Sequence, residues 1–297
     1  MNKDIGKSPD FIGIGAMKAA SSWISRCLSE HPEICFASQK GVHFFNTPIL
    51  YKKGLEYYES FFKDCQKEKV KGEFSPKYMY EEETAVRIYK HYPNVKLIAC
   101  LRNPVDRAVS HYRFGLARQG RLSFYKDFRE SIDRDDELVP RGMYYEQLKR
   151  FFDIFPPENI LVVLYDDLKK DPLEFIQKIY QFLGVKNDFV PGEISQRTNK
   201  TGAKILKPRI VFINNFLYRT RNKINTRSGM GKILYRTKMF SVGKRFIDWN
   251  KRSSRKNKKY SPDLEIKNED KEYLKQIYRQ DIENLEKLIN KDLSIWK

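Results

Sequence analysis

The 297-residue chain has no apolar run near the roughly 18 residues that a membrane-spanning helix needs, and its longest runs are strand-sized. Its first ten residues, M-N-K-D-I-G-K-S-P-D, carry no apolar core, so no secretory signal is expected. Cysteine is scarce. Cys27, Cys35, Cys65 and Cys100 form no C-x-x-C pair, and they read as four reduced, mostly buried thiols suited to a reducing compartment. The expected place is therefore the cytoplasm. Histidine is as scarce: His31, His43, His91 and His111 show no ligand spacing, and no metal is expected. Internal repeats are absent. Acidic residues nearly vanish over one stretch, Lys200 to Tyr260, where 19 Lys and Arg stand against one acid, Asp248. That stretch carries nearly all of the formal net charge of +19. Such a block predicts an anionic partner, whether nucleic acid, acidic glycan or membrane surface. It contains no recognisable nucleic-acid module, so sequence-specific nucleic-acid binding is not expected.

What is present reads as an α/β chain. Phe11–Gly15, Val70–Phe74, Lys96–Leu101 and Ile160–Tyr165 are short apolar runs bounded by polar or turn residues, which predicts strands. K-L-I-A-C-L and I-L-V-V-L-Y are apolar on both faces, the pattern of a parallel sheet covered by helices on both sides. Helical patterns alternate with them: Ser21–His31, Thr84–Tyr92, Tyr144–Phe155, and a helix opened by Asp171-Pro172 and closed at Gly184. The expected architecture is a central, mainly parallel sheet flanked by helices in three layers. The chain reads as a single domain over residues 1–297, with a basic, amphipathic or irregular insertion at about 203–260. A C-terminal helix at about 269–296 is expected to pack through Leu274, Ile277, Tyr278, Ile282, Leu285, Leu288 and Ile289.

Two motifs carry the chemistry. The segment Phe11 to Trp23, F-I-G-I-G-A-M-K-A-A-S-S-W, is a buried strand, a turn of small residues around Lys18, and a helix start. That order suits an anion: small side chains let backbone N–H groups approach, the helix N-terminus adds its dipole, and Lys18 adds a point charge. Walker A is excluded because no glycine directly precedes Lys18. The dinucleotide fingerprint is excluded because Gly13-x-Gly15 lacks a third glycine. The second motif follows the strand K-L-I-A-C-L: Arg102-Asn103-Pro104-Val105-Asp106-Arg107-Ala108-Val109-Ser110. The strand end puts Arg102 at the carboxyl edge of the sheet, where open α/β sheets bind ligands. Arg102 and Ser110 there could hold a second phosphate.

K-A-A-S-S-W followed by L-R-N-P-V-D-R-A-V-S resembles the sulfotransferases that use 3′-phosphoadenylyl sulfate (PAPS). Lys40-Gly41-Val42-His43-Phe44-Phe45 is similar to the K-E-x-H-F-F segment of their heparan-sulfate branch, and Gly72-Glu73-Phe74-Ser75-Pro76-Lys77-Tyr78 to its G-E-K-[ST]-P-x-Y. His31-Pro32-Glu33-Ile34, Arg141-Gly142-Met143-Tyr144, Phe155-Pro156 and Asp171-Pro172 follow the same order. The ending D-I-E-N-L-E-K-L-I-N-K-D-L-S-I-W resembles the last helix of bacterial members. The likeness runs through about residues 10–200 and 270–297.

The resemblance implies a P-loop-like fold, PAPS as co-substrate without a metal, and transfer of its sulfuryl group to a hydroxyl or amine of a carbohydrate or glycolipid. It places the phosphosulfate on Ala16, Met17, Lys18, Ala19, Ala20, Ser21 and Ser22, with Lys18 at the bridging oxygen. Trp23 would lie near the adenine, Arg102 and Ser110 at the 3′-phosphate, and Lys200 and Lys204 in a later loop over that phosphate. The chain departs from the pattern in three places: Ala20 stands for a glycine, Gly41 for the glutamate held to be the base, and Phe74 for a lysine. The acceptor's proton then falls to His43 or Glu73, with a lean to His43, whose ordinary pKa suits a base near neutrality. Two other functions compete: a nucleotide-dependent kinase on the same fold, and a non-catalytic polyanion binder using the basic region. A peripheral membrane contact through that region also stays open.

Overall fold

The computed structural model describes residues 8–65, 68–117, 121–195 and 266–297. In chain order they form β1 (Phe11–Gly15), α1 (Ser21–Glu30), β2 (Ile34–Phe36), the short α2 (Pro48–Tyr51) and α3 (Leu55–Glu59), β3 (Val70–Phe74), α4 (Thr84–His91), β4 (Lys96–Leu101), α5 (Pro104–Ala117), α6 (Phe128–Arg134), α7 (Tyr144–Phe152), β5 (Ile160–Leu164), α8 (Tyr165–Lys170), α9 (Pro172–Leu183) and α10 (Asn268–Ile289). The basic insertion, with Lys200 and Lys204, lies outside the described residues.

The strands hydrogen-bond in the order β2-β3-β1-β4-β5, and every pairing is parallel. The reason is legible in the side chains. β1 is buried along its whole length, and Leu97, Ile98, Ala99, Cys100 and Leu101 of β4 are fully buried. Strands apolar on both faces are stable only between helical layers, where each large aliphatic side chain contributes roughly 1.5–3 kcal/mol of burial. Because all five strands run the same way, β1, β3 and β4 end at one edge, and the loops after Gly15, Phe74 and Leu101 start there. The four expected strands are present. The fifth, β2, is a three-residue edge strand too short to stand out from its neighbours in an apolar pattern.

Helix ends follow local chemistry. Asp171 caps α9 by accepting from Leu173 N–H at 2.9 Å and Glu174 N–H at 3.0 Å, and Gly184 closes it at φ 76°. Asp281 of α10 does the same for α7 from a distance, accepting from Tyr144 N–H at 2.7 Å and Tyr145 N–H at 3.1 Å. Leu274, Tyr278, Ile282 and Leu285 bury the expected stripe of α10. That helix stops at Ile289, short of the expected 296, because Asn290 takes a left-handed φ of 49°. Trp296 instead buries itself in a following turn and donates to Asp166 Oδ2 at 2.8 Å.

The cysteine expectation needs correction. Cys35 and Cys65 form a disulfide with Cα atoms 5.6 Å apart, joining β2 to the segment after α3 across 30 residues; Cys27 and Cys100 are free and buried. No short spacing marks the pair, because the fold alone brings the two positions together. The argument for a reducing compartment rested on four thiols and falls with this pairing. Among the described residues, no helix is long and apolar enough to cross a membrane.

The described residues fall into two compact units. The first comprises those within Met1–Ala108, Val139–Asn199 and Tyr273–Lys297, including the whole sheet; the second comprises those within Val109–Leu138 and Lys200–Glu272. In the second, Tyr112 packs on Phe128 with ring centroids 5.0 Å apart, and Asp127 caps α6 through Glu130 N–H at 2.9 Å. Arg121 holds the carboxylates of Asp135 at 2.9 Å and Asp136.

Candidate functional site

The loop after β1 is shaped by close approach. A Cβ on Gly15 would lie 2.9 Å from Met79 Cβ, so only glycine lets the strand end pass beneath that residue. Ala16 N–H donates to Cys100 O at 2.8 Å, which ties the loop to β4. Lys18 at φ 74° and Ala20 at φ 60° take left-handed backbone, turning the chain sharply into α1. The helix ladder begins with Trp23 N–H to Ala20 O at 2.8 Å, so the N–H groups of Ser21 and Ser22 lie ahead of it at the helix mouth. Lys40 Nζ reaches that mouth and donates to Ser22 Oγ at 2.7 Å; burial and nearby Arg26 hold its pKa below the ordinary lysine range. Lys40 was not singled out from the sequence, and only its place in the segment beside His43 hinted at it.

Arg102 comes to the same place from the end of β4. Its Nη1 donates to Lys18 O at 3.4 Å, its guanidinium lies 4.7 Å over the Tyr165 ring, and its Nη2 faces Asp106 Oδ2 at 3.9 Å. Its Nε is buried without a hydrogen-bond partner. The two motifs therefore meet: the Arg102 guanidinium touches the loop that carries Lys18 and leads into the helix mouth. Ser110 lies on α5, two turns after that helix begins, in the second unit. Trp23 is 8% exposed and packs on Phe175 at 6.0 Å, which supports a core aromatic. Asp166, in the first turn of α8, pairs with Lys169 at 2.9 Å and accepts from Trp296 Nε1 at 2.8 Å.

A second group gathers after β3. Glu73 is wholly buried; Ser75 Oγ donates to its Oε2 at 2.6 Å, and Tyr78 OH and Val42 N–H bond the same carboxyl. Burial pushes its pKa up to about 7 against those bonds. Ser75 Oγ accepts from His43 N–H at 2.9 Å, and Tyr78 OH accepts from Phe44 N–H at 2.9 Å. The carboxyl thus sits under the loop 42–45 and fixes its course.

The His43 side chain is half-buried at φ 53°, edge-on to Tyr78 at 6.3 Å. Burial, then the charges of Lys77 and Arg141, hold its pKa below the ordinary value, opposed by the Asn46 side chain, so the imidazole is neutral near pH 7. Gly41 is explained by the same ring. It takes φ 65°, and a Cβ there would lie 3.1 Å from His43 Nε2. A side chain on Gly41 would therefore crowd the imidazole. Phe74, in place of the lysine, is 1% exposed with its ring against the Cα of Gly13.

Residues 8–213 match the sulfotransferase domain family. Human heparan sulfate glucosamine 3-O-sulfotransferase 5 is 32% identical over 197 residues, covering 63% of this chain and 55% of that protein. The membrane-associated sulfotransferase kil1 of Dictyostelium discoideum is 36% identical over 111 residues, covering 36% of this chain and 23% of that protein. This chain spans about half the length, or less, of these curated relatives. A crystal structure of a sulfotransferase from Alicyclobacillus acidocaldarius superposes with a TM-score of 0.66 at 26% identity, covering 97% of this chain and 98% of that one. Matched by the domain over more than half of its residues, and with the same architecture, this chain belongs to the sulfotransferase domain family.

Proposed function

We propose that this chain, acting as a single catalytic domain, transfers the sulfuryl group of PAPS to a hydroxyl or amine of a carbohydrate or glycolipid acceptor. The observation that carries the reading is the meeting of Arg102 with the Lys18 loop, 3.4 Å from Nη1 to Lys18 O. A cation pair at a helix mouth suits a nucleotide with phosphates at both ends. The relatives named heparan sulfate sulfotransferases support a carbohydrate acceptor. The basic run at 200–260 and the membrane-associated relative support a peripheral contact with an anionic surface.

In this reading the acceptor oxygen attacks sulfur in line as the S–O bond to the 5′-phosphate breaks. Lys18, with the N–H groups of Ser21 and Ser22, neutralises the charge left on that phosphate. Lys40, linked to Ser22, adds a second ammonium group. Arg102 grips the 3′-phosphate. His43 takes the acceptor's proton, because it is neutral near pH 7 and Gly41 leaves its Nε2 uncovered. Glu73 holds the His43 loop through Ser75 instead of meeting the acceptor, as its complete burial supports. Products are the sulfated acceptor and 3′,5′-adenosine bisphosphate.

Calorimetry tests the donor. The bisphosphate should bind without metal at least tenfold more tightly than ATP with magnesium, and the reverse order would favour a kinase. Lys18→Ala should lower PAPS turnover by about 10²–10³ while changing bisphosphate affinity far less. Equal losses in both would reduce Lys18 to a binding residue.

A further inference from the structure

Strand pairing delivers Arg102 to the donor loop, but it does not aim the side chain. Arginine is long and flexible, and its planar fork grips a phosphate well only when neighbouring groups hold it in one orientation. Arg102 is held at two such points. Its carbonyl accepts from the hydroxyl of wholly buried Tyr144 at 3.0 Å. Its guanidinium lies over the Tyr165 ring, 4.7 Å from the centroid.

Both holds lead back to one segment, 281–296, which lies beyond the residues 8–213 that match the sulfotransferase domain. Asp281 of α10 accepts from Tyr144 N–H at 2.7 Å and from Tyr145 N–H at 3.1 Å, which fixes the start of α7 and with it the Tyr144 ring. Trp296 is buried against that ring, with centroids 6.4 Å apart. Its Nε1–H donates to Asp166 Oδ2 at 2.8 Å. Asp166 is the neighbour of Tyr165 in the first turn of α8, and it pairs with Lys169, whose Nζ lies 5.2 Å from the same Tyr165 ring. One indole thus touches the tyrosine that holds the Arg102 carbonyl and anchors the turn that carries the tyrosine beneath its guanidinium. The apolar stripe of α10 (Leu274, Tyr278, Ile282 and Leu285) docks that helix without direction. The polar bonds of Asp281 and Trp296 supply direction, and both go to the groups around Arg102.

We infer that Tyr144 and Trp296 are positioning residues for Arg102, holding its guanidinium ready for the 3′-phosphate of the donor nucleotide. The inference rests on the sulfotransferase reading and extends its donor site to a segment outside both motifs. Each residue acts through Arg102. Their loss should therefore be felt at the 3′ end of the nucleotide and not at the 5′ end, which the Lys18 loop holds.

The test is calorimetric, on the full chain, and compares 3′,5′-adenosine bisphosphate with adenosine 5′-monophosphate, which lacks the 3′-phosphate. The ratio of the two affinities reads the 3′ grip alone, because a variant that merely loosens the fold lowers both together. Tyr144→Phe removes one hydroxyl, and Trp296→Phe removes one N–H while keeping an aromatic ring. Each should cut the preference for the bisphosphate by about three- to tenfold, the loss of one hydrogen bond, with monophosphate affinity unchanged within twofold. In an Arg102→Ala background neither should reduce the preference further, since the group they position is gone. A preference unchanged in either variant, an equal loss for both nucleotides, or a loss as large without Arg102 as with it would overturn the inference and leave the sulfotransferase reading standing. A wild-type chain that does not prefer the bisphosphate, or that keeps its preference in Arg102→Ala alone, would instead remove the 3′ role of Arg102, and the positioning inference with it.

Discussion

The proposed donor side and the proposed acceptor side lie at one sheet edge but are built differently. On the donor side, Lys18 and Arg102 follow the ends of β1 and β4, which pair directly, so sheet topology alone brings their loops together. On the acceptor side, His43 belongs to no strand. Its loop is held by Ser75 and Tyr78, more than thirty residues on, and through them by buried Glu73. A site dictated by strand ends tolerates few changes in its small loop. A site held by long-range side-chain bonds can exchange its reacting group provided the anchor stays. That contrast accounts for a chain that changes the first half of the pattern only by one methyl group, Ala20 for a glycine, and replaces a glutamate and a lysine in the second.

The largest effect should come from breaking the acceptor side. His43→Ala is expected to lower kcat by about 10²–10³, the range of a lost general base, with bisphosphate affinity unchanged. Glu73→Gln keeps an oxygen for Ser75 and should retain most activity; a loss equal to that of His43→Ala would make Glu73 the base. The pH profile sharpens this. Burial, Lys77 and Arg141 depress the His43 pKa, so its neutral, proton-accepting form persists below the ordinary histidine value. Activity should be flat from neutrality upward and fall only on acidification, and a rate still climbing above pH 7 would contradict it. Gly41→Glu, which restores the glutamate of similar sequences, should lower activity. Its Cβ would crowd His43 Nε2 on backbone unsuited to a side chain.

On the donor side, where Lys18→Ala should act on turnover, breaking Arg102 should act on affinity. Arg102→Ala removes charge-assisted hydrogen bonds and should weaken bisphosphate binding by about 10- to 100-fold, with a smaller change in kcat at saturating PAPS. An affinity unchanged within twofold would confine Arg102 to its partners Asp106 and Tyr165.

The same contrast governs what the sequence could reveal. β1, β3, β4 and β5 were legible because each is a short apolar run with clear bounds, and the donor loops because their residues are contiguous. Lys40 was not, since its link to Ser22 spans a turn that carries no pattern. Glu73 and His43 were found together as alternatives, and only the buried chain of hydrogen bonds separates an anchor from a candidate base. The Cys35–Cys65 bond escaped for the same reason as Lys40. Replacing both cysteines by alanine should cost about 3.6 kcal/mol on chain-entropy grounds for a 30-residue loop. Thermal unfolding would register this as a Tm lower by several degrees, and an unchanged Tm would mean that the bond adds nothing to the fold.

The smallest effect tests the donor loop's own strain. Ala20 precedes α1 at φ 60° and ψ 8°, a conformation that costs an alanine on the order of 1–2 kcal/mol relative to right-handed backbone. Glycine occupies that region freely and is the better residue at a helix N-cap, but it adds about 0.4–1 kcal/mol of entropy to the unfolded chain. The two terms nearly cancel, so Ala20→Gly should stabilise the protein by only a few tenths of a kcal/mol, with bisphosphate affinity equal or slightly higher. Destabilisation by 1 kcal/mol or more would show that the alanine methyl is a packing contact. In that case the departure from glycine would be a feature of the loop's rigidity, and the donor side would be less purely a product of sheet topology than the comparison holds.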